Sequence, residues 1–152
     1  MRQLMYIIVM LFAWGSACAQ GWHYMEQQAL IASDTEYLTG DFDSPTQLIV
    51  GVDRHSGKDA VVMMLTGECS IHDFRKSQQY VIVNFDHTGG VKWRITELRD
   101  NHDKRFSAFF ITDAARFIKH LRKCESMTVT LPVYNYGITT FYFNADGYPL
   151  DW

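Results

Sequence analysis

The stretch YVIVNFDHTGGVKWRI, residues 80–95, decides the fold that we predict for this chain. Two runs rich in β-branched and aromatic residues flank a polar connection with two consecutive glycines, and this pattern is typical of a β-hairpin. In the second run apolar side chains alternate with Lys92 and Arg94, so one face is apolar and the other is solvated. The segment therefore predicts an antiparallel strand pair with one buried face.

Similar runs occur on both sides of this hairpin. They predict further strands over the following ranges: 22–28, 47–52, 60–65, 106–111, 127–133 and 138–144. The last two ranges form a hairpin across a short turn, Tyr134-Asn135-Tyr136-Gly137. The run at 106–111 is apolar on both faces, which indicates a central and well-covered strand.

One amphipathic helix is predicted near residues 113–123. Thr112 or Asp113 can cap its start, because a short side-chain oxygen accepts a hydrogen bond from a free amide of the first turn. Its buried stripe is predicted to consist of Ala114, Phe117, Ile118 and Leu121. The fold class is therefore mainly β, an antiparallel β-sandwich or open barrel of about eight strands with this helix against it.

The amino terminus predicts a secretory signal peptide over residues 1–19. Arg2 precedes an apolar stretch at residues 4–14, and the Ala17-Cys18-Ala19 sequence suits a signal peptidase, so the mature chain would begin at Gln20. The alternative is a lipoprotein attached through Cys18. The apolar stretch is shorter than the ~20 residues that a permanent transmembrane anchor requires. Residues 20–152 then form one globular β-rich domain.

Composition narrows the possible partners. The chain has 14 basic and 17 acidic residues, and removal of Arg2 with the leader leaves 13 basic against 17 acidic, a net charge of −4. A mildly acidic chain without a basic run argues against a nucleic-acid partner.

Cysteine usage predicts a structural disulfide. Cys69 and Cys124 are the two cysteines that remain once the leader is removed, and an oxidising compartment favours their pairing. Two unpaired buried thiols or half of a metal site are the alternatives.

Motifs for catalysis are weak, so no catalytic residue and no cofactor are predicted. Two histidine–aspartate doublets, Asp86-His87 and His102-Asp103, are the candidates for a metal site of imidazole and carboxylate ligands. Both doublets lie in predicted connections, where aspartate is expected for turn formation alone. The serines are not in a G-x-S-x-G motif, and Cys69 is expected to be in the disulfide rather than paired with His72 as a nucleophile.

Aromatic residues provide the strongest candidate for a binding surface. Tyr134, Asn135 and Tyr136 form the predicted tip of the last hairpin, and a hairpin tip cannot bury both rings in the sheet. Tyrosine is favoured at contact surfaces because it buries a large area at a low entropic cost.

The second half of the chain resembles a known family in its layout. One strand ends in Val83-Asn84-Phe85-Asp86, and Trp93 lies in the strand that returns from it. Residues 108–121 then form a strand followed by a short amphipathic helix. The last feature is a strand pair that ends with residues 140–147. This layout is similar to that of small periplasmic type VI secretion-associated accessory proteins and related exported bacterial domains. The resemblance implies a non-catalytic periplasmic accessory role and transfers no catalytic residue.

Three functions follow as hypotheses. The first is an exported, periplasmic, non-catalytic binding or accessory protein that contacts an envelope protein or a cell-wall glycan through its loop aromatics. The second is an inhibitor or immunity protein that blocks the cleft of a secreted hydrolase. The third is a metal-dependent enzyme that uses His87, His102 and the neighbouring aspartates.

Overall fold

The computed structural model describes residues 21–25, 27–38, 40, 43, 45–54, 58–67, 69, 71, 79–98 and 108–148. Within these residues the chain forms nine strands and one helix. The elements, in chain order, are β1 His23–Met25, β2 Gln28–Ala32, β3 Leu48–Asp53, β4 Ala60–Leu65, β5 Tyr80–Phe85, β6 Val91–Leu98, β7 Ala108–Ile111, α1 Ala114–Leu121, β8 Ser126–Val133 and β9 Gly137–Asn144.

All nine strands belong to one antiparallel sheet with the order β1-β2-β3-β4-β7-β6-β5-β8-β9. The sheet curls into a half-barrel, so the predicted mainly β class with one helix is confirmed as an open barrel and not as a two-sheet sandwich. Strand β6 is long because its first half pairs with β5 and its second half pairs with β7. It therefore joins the two halves of the sheet.

The predicted hairpins are present with small shifts in their bounds. Strands β3 and β4, β5 and β6, and β8 and β9 each pair antiparallel. The single strand predicted over residues 22–28 is wrong: β1 and β2 pair with each other, and Met25 lies opposite Gln28. The chain reverses between them without a glycine or proline, so the sequence contained no turn signal at that point.

Helix α1 packs its predicted stripe into the main core of the sheet. Asp113 caps it, since one carboxylate oxygen of Asp113 accepts a hydrogen bond from the Arg116 N–H at 3.3 Å. Phe117 is fully buried and meets the rings of Trp93 at 5.0 Å and Phe85 at 5.3 Å, both in edge-to-face geometry. Each such aromatic pair contributes about 0.5–1.5 kcal/mol beyond the area that it buries.

The strands β2, β3, β4 and β7 are covered on both faces. A second cluster of buried side chains lies on the face opposite the main core and consists of Leu30, Ile49, Val62, Met64 and Ala108. Strand β7 lies between β4 and β6, as its two-sided apolar pattern predicted.

The first and last strands approach each other where the half-barrel curls. The Trp22 indole donates a hydrogen bond to the Ala145 carbonyl at 2.9 Å, and the Tyr24 hydroxyl donates to the Gly147 carbonyl at 2.8 Å. The Asp34 amide donates to the Tyr142 carbonyl at 2.8 Å. These bonds hold the amino-terminal end of the described chain against the end of β9.

Candidate functional site

The hairpin of β8 and β9 has one buried and one open face. In β8 buried and half-buried residues alternate without exception, and in β9 Phe141 and Phe143 point into the core. The residues between these buried positions form what we call the outer hairpin face, namely Thr128, Thr130, Pro132, Ile138, Thr140 and Tyr142. Ile138 is 80% exposed and Tyr142 is 52% exposed, so this face presents large apolar side chains to solvent.

A hydrogen bond and a strand neighbour organise this face. The hydroxyl oxygens of Thr130 and Thr140, which are cross-strand partners, lie 2.9 Å apart. Ile82 of β5 lies opposite Thr130 on the other side and is exposed. The same face of the sheet therefore extends from β9 across β8 to β5.

The tip of the hairpin positions the predicted aromatic pair. The Tyr136 amide donates to the Val133 carbonyl at 3.1 Å, which closes a tight turn. Asn135 has a φ of 67° and Gly137 a φ of 77°, and asparagine and glycine are the residues that accept this left-handed backbone at low cost. Tyr134 is 41% exposed and Tyr136 is 44% exposed, so the prediction that both rings lie partly outside the core is confirmed.

The hairpin carries no charge. Residues 126–145 include no Asp, Glu, Lys, Arg or His, in a chain of which 20% of the residues are charged. The sequence alone shows this absence of charged residues. It bears on binding only because β9 lies at the edge of the sheet, which the structure shows.

Asp86 has a structural role that the sequence reasoning missed. One of its carboxylate oxygens accepts hydrogen bonds from the amides of Glu125 at 2.8 Å and Ser126 at 2.9 Å. These bonds, of which the one from Ser126 has the largest effect, lower the pKa of Asp86 below its usual value. Asp86 and His87 have φ angles of 51° and 59°, a left-handed backbone that aspartate adopts more readily than most residues in a turn.

The metal-site candidates are not brought together within the described residues. Asp86 is bonded to backbone amides, and no group of three or more His, Cys, Asp or Glu residues there could hold a metal ion. His102 and Asp103 lie outside the described residues. The metal-dependent hypothesis therefore has no geometric support in the described part of the chain.

The predicted disulfide is wrong in this structure, because Cys69 and Cys124 are both free and their sulfurs are not within bonding distance. Both residues are buried, and each sulfur has a local partner. The Cys69 sulfur lies 3.3 Å from the Thr46 hydroxyl, and the Cys124 thiol donates to the Leu121 carbonyl at 3.6 Å. Burial, aided by the negative charge of Asp86, raises the pKa of Cys124 to about 12, so this thiol stays protonated.

The exposed surface of α1 carries several basic side chains that rest on aromatic rings. Arg116 lies 5.1 Å from the centre of the Trp93 ring, and His120 stacks on Phe85 at 4.9 Å. These contacts cover the buried aromatic cluster from the solvent side. Packing therefore accounts for Arg116 and His120 without a ligand.

Comparisons with family models, curated proteins and solved structures found no match to this chain. Among the described residues, no helix has the length and apolar character to cross a membrane. The functional argument therefore rests on the residues of the site alone.

Proposed function

We propose that this protein is a non-catalytic binding protein of the cell envelope, which contacts a protein partner through the tip and the outer face of its β8–β9 hairpin. The observation that supports this proposal most directly is that one charge-free hairpin exposes four large apolar or aromatic side chains, those of Tyr134, Tyr136, Ile138 and Tyr142. Exposed aromatic side chains on a rigid support are the usual source of binding energy in protein interfaces. The signal peptide predicted over residues 1–19 supports the location outside the cytoplasm.

A protein partner is favoured over a glycan by the aliphatic part of this surface. Ile138 is the most exposed of the large apolar side chains that stand out from the described residues, and an aliphatic group offers a sugar hydroxyl no hydrogen bond. A folded partner can bury it, and full burial of such a side chain contributes about 1.5–3 kcal/mol.

The test is capture of partners from an envelope extract on the immobilised mature protein, with two tyrosine variants. Tyr134→Ala and Tyr136→Ala should each reduce the captured partner by about tenfold or more, since binding hot spots are worth about 2 kcal/mol. The melting temperature should shift by no more than about 2 °C, because both rings are partly exposed and neither belongs to the buried core. The captured protein is then identified by mass spectrometry, purified and titrated directly against each variant.

Tyr37→Ala is the matched control. Tyr37 is 48% exposed, similar to the two tip tyrosines, but it lies outside the hairpin. Equal loss of partner in the control, or loss of binding that follows loss of stability, would refute the proposal. If the captured protein is a hydrolase that loses its activity on binding, the protein is an inhibitor. If only glycan is captured, the partner is a glycan and not a protein.

A further inference from the structure

The edge strand β9 leaves part of its backbone without a partner among the described residues. The Asp86 amide donates to the Ser126 carbonyl, so the even-numbered residues of β8 direct their backbone groups toward β5. In an antiparallel ladder both backbone groups of a residue point to the same side, and the direction alternates along the strand. The odd-numbered residues of β8 therefore bond to the odd-numbered residues of β9.

The even-numbered residues of β9 consequently direct their N–H and C=O groups away from the sheet. The Tyr142 carbonyl agrees with this direction, because it accepts its hydrogen bond from Asp34 and not from β8. No described residue forms such a bond with Ile138 or Thr140. Within the described part of the chain, the unpaired part of the edge therefore extends from the hairpin tip to the point where Asp34 bonds to Tyr142.

This edge lacks the features that usually prevent edge-to-edge association. Natural edge strands are protected by charged side chains, prolines, bulges or a short length. Strand β9 has eight residues and carries neither a charge nor a proline. The opposite edge strand, β1, has only three residues.

From this geometry we infer that β9 binds an extended segment of the partner by strand addition at Ile138–Thr140, in an antiparallel orientation. The inference rests on the proposed function and specifies the binding mode. Backbone bonds from Ile138 and Thr140 would hold the segment, and its alternate side chains would lie on the outer hairpin face. Between Ser126 and Ala145 the hairpin offers no counter-charge, so the segment is an uncharged one.

The side chains of β9 restrict the composition of the segment. The residue opposite Ile138 should be β-branched or aromatic, because such cross-strand pairs are favourable. The residue opposite Thr140 should be threonine or serine, since its hydroxyl can extend the contact between Thr130 and Thr140. The bond from Asp34 to Tyr142 limits the paired length to a few residues.

The test uses a fluorescein-labelled peptide that carries the sequence of residues 137–144 after two added lysines, because this sequence has the required composition. Its binding to the full mature chain is measured by fluorescence anisotropy for the native protein, Thr140→Pro and Thr140→Val. Proline removes the outward N–H, which bonds to no described residue, whereas valine keeps the N–H and the shape of the side chain. We expect Thr140→Pro to bind at least about tenfold more weakly than Thr140→Val.

Further measurements distinguish strand addition from unfolding of the variant and from non-specific binding of the peptide. Circular dichroism and the melting temperature show whether Thr140→Pro is folded, and Ile138→Pro replaces it if it is not. In the native protein, amide exchange of Ile138 and Thr140 should slow on addition of the peptide. The exchange rate of the Thr139 amide should not change, because this amide is directed toward β8. A peptide in which glutamate replaces the two adjacent threonines should bind at least about tenfold more weakly.

The outcomes separate this inference from the proposed function. No binding of the peptide to the native protein at about 1 mM, or equal binding to Thr140→Pro and Thr140→Val, overturns strand addition. If Thr140→Pro still captures the envelope partner and the tyrosine variants do not, the proposed function stands and strand addition is overturned. If the tyrosine variants and the native protein capture the same amount of partner, the proposed function fails, whatever the peptide does.

Discussion

Replacement of Asp86 by asparagine tests how much the Asp86 carboxylate stabilises the fold. The Asp86 carboxylate joins the β5–β6 turn to the segment between α1 and β8 through bonds to two amides, those of Glu125 and Ser126. Asparagine retains an acceptor oxygen and tolerates the left-handed backbone at this position, so Asp86→Asn removes the charge and little else.

The expected loss of stability follows from the bonds. A hydrogen bond to a charged group contributes about 1.5–3 kcal/mol and a neutral one about 0.5–1.5 kcal/mol, so two bonds would lose roughly 2 kcal/mol when the charge is removed. Asp86 is exposed, and solvent screening reduces this value by about half. We therefore expect Asp86→Asn to lower the free energy of unfolding by about 1 kcal/mol near neutral pH, measured by urea denaturation.

The loss should depend on pH in one direction. Folding lowers the pKa of Asp86 from its usual value of 3.8. The ionised carboxylate therefore stabilises the fold fully when the pH is above the pKa that Asp86 has in the unfolded chain. This contribution declines as the pH falls below about 4 and disappears below the folded pKa. The difference between the native protein and Asp86→Asn should therefore be the same at about pH 7 and pH 5 and should shrink in more acidic solution.

Asp146→Asn is the matched control, because Asp146 is an exposed carboxylate in a turn and no basic residue lies near it in the sequence. It should leave the free energy of unfolding within about 0.5 kcal/mol of the native value at every pH. The reasoning is refuted if the control loses as much stability as Asp86→Asn. It is also refuted if the difference between the native protein and Asp86→Asn persists unchanged at the lowest pH.

Two further predictions concern the core and the thiols. Phe117→Ala should lower the free energy of unfolding by roughly 3–5 kcal/mol and weaken the near-ultraviolet circular dichroism, because it removes a fully buried ring from between Phe85 and Trp93. The thiols of Cys69 and Cys124 should react with a thiol reagent only after unfolding, since both are buried and the pKa of Cys124 is raised to about 12. A difference in mobility between reduced and unreduced protein on a denaturing gel would contradict the free thiols, and reaction of the folded protein at the same rate would contradict their burial.

The sequence predicted the hairpins well because their information is local. Alternation of apolar and polar residues follows from the two-residue period of a strand, and a connection such as Asp86-His87-Thr88-Gly89-Gly90 has residues that adopt turns. The helix was equally accessible, since the spacing of Phe117, Ile118 and Leu121 defines one face. Alternation shows which side of a strand is buried but not what buries it, so the choice between a sandwich and an open barrel required the strand order.

Long-range contacts account for the errors. An even number of cysteines suggested a disulfide, but the count does not place Cys69 and Cys124 at bonding distance, and the fold keeps their sulfurs apart. The sequence made Asp86 a candidate metal ligand because His87 follows it. Its actual partners, Glu125 and Ser126, are about forty positions away in sequence and become neighbours only when β5 pairs with β8.

The tip tyrosines and the edge of β9 differ in how far the sequence could predict them. Exposure of Tyr134 and Tyr136 followed from their place in a hairpin turn, and the structure agrees. The open edge depends on which strand is last in the sheet, and no local pattern contains that information.

A charge on the β8–β9 hairpin would protect its edge against association, but it would also oppose the binding of another strand. A charged side chain in place of Ile138, which is 80% exposed, would point to solvent, would cost the fold little and would protect the edge against association. Such a charge would also have to be desolvated whenever another strand added to that edge, which would oppose the addition. The bond from Asp34 to Tyr142 covers one end of β9 without placing a charge on the strand, and the outward backbone groups of Ile138 and Thr140 bond to none of the residues that the structure describes. An edge that is covered by backbone at one end and open at the other is suited to a short segment of defined length, and this is the physical reason to look for the partner at the hairpin rather than at the histidines.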